Sequence, residues 1–121
     1  MILGIGIDLV ELSRIKETFD QRFIERILSE KEIEVYNSIV HKKAKLSFIG
    51  GRFAAKEAIF KAISKGDKTA NYKDFSILND ENGKPYVISK YFKDEIIHIT
   101  ITHTKEYAMS YCLIEQKREN D

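Results

Sequence analysis

The chain has no tryptophan, one cysteine and one proline in 121 residues. The lone Cys112 cannot close an intrachain disulfide, and its flanks (Tyr111, Leu113, Ile114) read as a strand, which makes it a small buried hydrophobe. A reducing cytoplasm fits. No apolar run approaches the roughly 20 residues that cross a bilayer. The apolar opening MILGIGIDLV contains Asp8 and lacks a basic leader, so it reads as mature protein, with no targeting signal and no membrane association expected. A phosphate loop of the Walker type, GxGxxG and GxSxG are all missing, which removes the common nucleotide-loop and serine-hydrolase readings. His41, His98 and His103 form no cluster with Cys112 at metal-ligand spacing, so zinc is not expected. Internal repeats, low-complexity tracts and linkers are also missing, and the length suits one domain over residues 1–121.

A net charge of +1 excludes little, because charge is unevenly spread. From Val40 to Lys65 there are seven lysines and arginines against one acid, Glu57, so the remainder of the chain is net acidic. A basic segment of this kind suits phosphate groups or an acidic protein. Nucleic acid is a weaker reading and is not expected, since no RNA-binding signature with interleaved aromatics accompanies it.

The order of elements is α+β. Leu3, Ile5, Ile7 and Leu9 alternate with Gly4, Gly6 and Asp8, which predicts a strand packed through its apolar face. The opposite face is nearly bare, so a ligand or another chain can approach it closely. Residues 11–38 carry helical spacing, with Ser13 and Ser29 as N-cap candidates and Glu32 placed to complete a capping box with Ser29. A longer helix is predicted from about His41 to Ser64, weakened at Gly50-Gly51, where each glycine costs about 1 kcal/mol relative to alanine. A polar loop and a turn at NDENGKP then separate strands near Phe75 to Leu78, Tyr86 to Ser89, Ile96 to Thr102 and Tyr107 to Ile114.

The helical segment GRFAAKEAIFKA is apolar on nearly every side and should be buried, yet it carries Arg52, Lys56, Glu57 and Lys61. Glu57 and Lys61 share a stripe. As a surface pair they would contribute only about 0.3–0.5 kcal/mol, but the flanking Phe53 and Ala54 suggest a crevice or an interface, where a carboxylate and an ammonium can hold a metal ion and the phosphate it neutralises. Asp8 reads either as a strand-end cap for the next helix or as the second hard oxygen ligand of a Mg2+ site with Glu57. His103 stands at a strand end, most often a structural position.

Three stretches in this order, GIGIDLVELSRI, GRFAAKEAIFKA and ITHTKEYA, closely resemble the holo-(acyl-carrier-protein) synthases, the short 4′-phosphopantetheinyl transferases, over nearly the whole chain. The resemblance implies the α+β 4′-phosphopantetheinyl transferase fold, an antiparallel-rich sheet with a long helix packed on it. It also implies a homotrimer with active sites at subunit interfaces. The implied reaction is Mg2+-dependent transfer of 4′-phosphopantetheine from coenzyme A to a serine of apo acyl carrier protein, releasing 3′,5′-ADP.

By that resemblance Asp8 and Glu57 hold the metal and Lys61 is the active-site lysine. Glu57, directly or through water, accepts the serine proton; Arg52 and His103 contact coenzyme A phosphates, with Lys56 a weaker candidate. Arg14 matches a docking arginine for the acidic carrier protein; Arg22 and Arg26, four apart on the next predicted helix, either extend the patch or, with Glu25 between them, belong to a plain amphipathic helix. The chain departs from the family pattern at AISKGDKTANY, where a GTG-like loop is usual and whose coenzyme A contacts are not carried over, and at Gly50, where alanine is common. Two other readings stand beside it: a Mg2+-dependent hydrolase of nucleotide pyrophosphates using the same Asp8, Glu57 and Lys61, and a non-catalytic trimeric binder of acidic proteins through Arg14, Arg22 and Arg26.

Overall fold

The computed structural model describes residues 1–18, 20–63 and 70–118. In chain order the elements are β1 (Ile2–Glu11), α1 (Leu12–Thr18), α2 (Gln21–Ile27), α3 (Glu30–Ser38), α4 (Lys42–Ala62), a 3-10 turn (Tyr72–Asp74), β2 (Ser76–Asn79), β3 (Pro85–Ile88), β4 (Glu95–His103) and β5 (Tyr107–Gln116). This is the expected α+β arrangement. β1, β5 and β4 form an antiparallel sheet in that order, and β2 and β3 form a separate antiparallel hairpin.

Local chemistry explains most boundaries. Ser29 caps α3 through a complete capping box with Glu32, as the sequence predicts. Asp20 caps α2 by accepting from the Phe23 N–H. Ser13, in contrast, is not a cap; it lies inside α1, which starts directly from the end of β1. Gly50-Gly51 does not break α4, because both glycines are buried and packed: a Cβ at Gly50 would meet Leu12, and one at Gly51 would meet Ile101. Gly83, at φ +83°, closes the turn between β2 and β3 in a conformation that favours glycine, and the Asp80 side chain accepts from the Asn82 and Lys84 N–H groups there.

The largest departure from the sequence reading is at β1. Leu3, Ile5, Ile7 and Leu9 do not face a core within this chain; they are 43%, 56%, 53% and 61% exposed. It is the glycine face that is packed, with α4 laid directly on it. A Cβ at Gly4 would stand 1.9 Å from the Ala62 carbonyl oxygen, and one at Gly6 2.0 Å from that of Ala58. The close approach anticipated for the glycines is therefore made by the chain's own helix, through small residues on both sides. β5 follows the same rule: Ala108, Ser110, Cys112 and Ile114 are buried, whereas Tyr107, Met109 and Tyr111 are exposed on the face of Ile7 and Leu9.

α4 is apolar all round because it separates two cores. One gathers Ala55, Ala58 and Ile59 with Phe75, Ile77, Ile99 and Cys112. The other gathers Ile49 and Ala54 with Val10, Ile15, Ile24, Ile27 and Leu28. Among the described residues no helix is long and apolar enough to cross a membrane. Ser64, the last residue of the predicted long helix, and most of the loop that departs from the family pattern lie outside the described residues.

Candidate active site

The tight contact of α4 with β1 brings the first group of charged residues together. Lys61, in the last turn of α4, donates from Nζ to the Ile7 carbonyl oxygen and to Asp8 Oδ1, each at 3.0 Å. Asp8 sits well inside β1, paired in register with Ser110, so it is no strand-end cap. Its side chain is 16% exposed and that of Lys61 55% exposed, so the ion pair opens to solvent from one side. Lys61 thus turns to β1, and Glu57 instead accepts a short hydrogen bond from the Tyr72 hydroxyl.

Tyr72 is a site residue that sequence reasoning missed. Its ring is held between Phe53 and Phe60, at centroid distances of 5.8 and 5.1 Å, with Glu57 between them on the same stripe of α4. Burial, then the hydrogen bond and charge of Glu57, push its pKa up to about 12, with Arg26 opposing and Asp8 adding to the rise. The phenol therefore stays protonated near neutral pH and acts as a donor to Glu57. No residue spacing points to Tyr72, which follows a polar loop far along the chain from Glu57.

Asp8 and Glu57, the two carboxylates that the resemblance assigns to a metal, stand on β1 and on α4. Among the described residues no group of three or more His, Cys, Asp and Glu side chains is placed to hold an ion. Two carboxylates fit a cation such as Mg2+, which completes its shell with substrate phosphates and water, and do not fit zinc.

Arg52 and His103 meet elsewhere. Both line a cavity of about 540 Å³ with Lys43, Phe48 and Asn79; an adjoining hollow of about 830 Å³ shares His103 and Lys43 and adds Lys16 and Lys105. Neither hollow is lined by Asp8, Glu57 or Lys61. Helix geometry gives the reason: Arg52 and Lys61 are nine residues apart, half a turn around α4 and about 13 Å along its axis. Arg52 is 7% exposed, donates from Nε to the Ile77 carbonyl oxygen and from Nη2 to Asn79 Oδ1, and lies over the Phe48 ring at 4.2 Å. Burial lowers its pKa, with Glu32 opposing.

Lys56, expected to face coenzyme A, is instead enclosed in the core. Its ammonium lines no cleft; the side chain is fully buried, with Nζ donating to the Ile27 carbonyl oxygen and to Glu32 Oε1, both at 2.5 Å. A group enclosed in this way has no face left for a coenzyme A phosphate. Burial pushes its pKa down, while the charge and hydrogen bond of Glu32 oppose that shift. Arg14 is on α1 with an 80% exposed side chain, 3.9 Å from Glu11, and Arg22 and Arg26 are both exposed on α2.

Comparison with known proteins agrees with this architecture. The family model for the 4′-phosphopantetheinyl transferase superfamily matches residues 4–112. The holo-(acyl-carrier-protein) synthase of Acholeplasma laidlawii is 53% identical over 117 residues, spanning 97% of this chain and 99% of that protein. A crystal structure of the synthase from Bacillus anthracis in complex with CoA (3′,5′-ADP) superposes with a TM-score of 0.89 at 41% identity, covering 97% of this chain and 99% of that one. The synthase from Helicobacter pylori in complex with coenzyme A gives 0.78 at 30% identity, covering 92% and 99%.

Proposed function

The chain belongs to the holo-(acyl-carrier-protein) synthases of the 4′-phosphopantetheinyl transferase superfamily, and from that premise we propose a Mg2+-dependent transfer from coenzyme A to a serine of apo acyl carrier protein, with 3′,5′-ADP as the second product. The observation that supports this reading is the pairing of Lys61 with Asp8 where the last turn of α4 meets β1, with Glu57 one turn back on the same stripe of α4 and held by Tyr72.

Mg2+ bound by Asp8 and Glu57 would offset negative charge on the pyrophosphate. The serine oxygen bonds to the β-phosphorus of coenzyme A, the bond from that phosphorus to the bridging oxygen breaks, and the electron pair leaves with 3′,5′-ADP. Glu57 is the acceptor for the serine proton. The Tyr72 hydrogen bond fixes one of its oxygens and so orients the other. Lys61, anchored on Ile7 and Asp8, presents its ammonium to the departing phosphate. Arg52 and His103 take coenzyme A phosphates in their own cavity.

A homotrimer belongs to the same reading. Within one chain the Arg52 cavity and the Asp8 cluster are apart, and a neighbouring copy that brings them together would complete the site. The exposed apolar face of β1 and β5 supports such an assembly, since an uncovered sheet face of this kind marks an interaction surface. Cytoplasmic location also fits, with Cys112 buried and its thiol pushed up to about 12 by burial.

Intact mass of apo acyl carrier protein after incubation with the protein, coenzyme A and Mg2+ tests the reaction. The expected result is a gain of one phosphopantetheine that EDTA abolishes. Consumption of coenzyme A without that gain would instead mean a hydrolase, and neither change would leave a binding module. For docking, Arg14→Glu should raise the KM for carrier protein about tenfold or more, a like charge now facing an acidic partner, and leave the affinity for coenzyme A unchanged. An unchanged KM would remove Arg14 from the docking surface.

A further inference from the structure

The buried ion pair between α3 and α4 is not accounted for by the transfer chemistry. Glu32 and Lys56 are both fully buried, and a buried pair is costly to form and seldom the most stable filling of a core. The surroundings of this pair are unusually directed. Glu32 Oε1 accepts from Lys56 Nζ and from the Ser29 N–H at 2.9 Å, while Oε2 accepts from the Ile77 N–H at 2.9 Å.

Among the described residues β2 has one strand neighbour, β3. On its other edge Ile77 offers an N–H and a carbonyl oxygen, which point the same way in an antiparallel strand. Glu32 takes the first and the Arg52 Nε–H takes the second, at 3.0 Å. The Ser29 and Ser76 hydroxyls, 2.7 Å apart, join α3 to the same edge. One residue of β2 is thus clamped between a buried acid and the arginine that lines the His103 cavity. Lys56, one turn along α4 from Arg52, donates to the acid and ties it to the end of α2 through Ile27.

We propose that Glu32 and Lys56 are a positioning pair for coenzyme A binding: by fixing Ile77 against α4 they hold the Arg52 guanidinium at the cavity wall. The inference rests on the transferase reading, in which Arg52 meets a coenzyme A phosphate. Asn79, which accepts from Arg52 Nη2 at 2.6 Å, is the second anchor of the same group.

Calorimetric titration of coenzyme A into four proteins tests this: wild type, Arg52→Met, the charge-neutral double variant Glu32→Gln/Lys56→Met, and the triple combination. Arg52→Met and the double variant should each weaken binding about tenfold, and the triple should be no more than about twofold worse than either, because both changes disable one contact. A pair that served only the fold would act independently of Arg52, and losses that multiplied to about a hundredfold would overturn the proposal. So would wild-type affinity in the double variant. Asn79→Ala covers the case in which the double variant does not fold, since the residue is exposed at the end of β2. It should weaken binding several-fold with an unchanged melting temperature, and wild-type affinity there would also overturn the proposal. A wild-type protein that binds no coenzyme A would instead bring down the transferase reading itself.

Discussion

Asp8→Asn should lower kcat by about 10² or more, the cost of losing one preorganised charge at a reacting centre. Asparagine preserves the shape of the side chain and its Oδ1 acceptor, so the Lys61 hydrogen bond at 3.0 Å has a substitute while the negative charge is gone. Two effects then add. The hard-oxygen pair loses half its charge, which weakens Mg2+ binding, and the Lys61 ammonium keeps an acceptor beside Ile7 but loses the negative charge that draws it there. Stability should hardly move, because the pair opens to solvent and an exposed ion pair contributes at most about 1 kcal/mol. The checks are single-turnover kinetics, titration with Mg2+ and thermal melting, all on one preparation. Lys61→Ala should cost a similar factor in kcat, with less effect on Mg2+. Wild-type turnover in either variant would take that residue out of the mechanism.

Gly6→Ala should be the most damaging conservative change to the fold. The added Cβ would stand 2.0 Å from the Ala58 carbonyl oxygen and 2.9 Å from the Ala62 nitrogen. Both are backbone atoms of α4, so no side chain can rotate away, and the helix must lift off the sheet. Overpacking of a close-packed interior costs 1–3 kcal/mol in ordinary cases, and about 3 kcal/mol or more is expected against rigid backbone, measured as the loss in urea unfolding free energy. Lifting α4 also withdraws Lys61 from Asp8, so activity should fall in whatever fraction remains folded. Gly50→Ala is the internal control. Its Cβ would meet the Leu12 side chain, which can turn, and the helix gains about 1 kcal/mol in propensity, so the net change should be small. Equal losses at Gly6 and Gly50 would show that the α4 backbone is not the obstacle.

These two residues also mark what was legible in sequence. The alternation in GIGIDLV is enough to predict a strand and a face that something approaches closely, because glycine is the one residue without a Cβ. It does not tell that the approaching body is α4, since that depends on alanines some fifty positions away meeting the glycines in register. The same alternation led to the wrong packed face: apolar side chains ordinarily point inward, and here the sheet is covered on its glycine side. The charges of α4 divide in a similar way. Period and spacing are enough to put Glu57 and Lys61 on one stripe, but their partners Tyr72 and Asp8 come from distant elements. Lys56 looked available because a lysine beside a carboxylate in a basic segment usually is. Its burial follows from Glu32, whose capping role was readable locally and whose second role, against β2 and Lys56, was not.

The position of α4 between two cores has a bearing on how the molecule opens. A segment with a core on each side cannot be released by loosening either one alone, so its amide protons should exchange only when the whole domain unfolds. Glu57, and Lys61 one turn further on, should therefore lie on the slowest-exchanging part of the chain. Local fraying can reach the rims of the molecule while the spacing of these two groups is preserved.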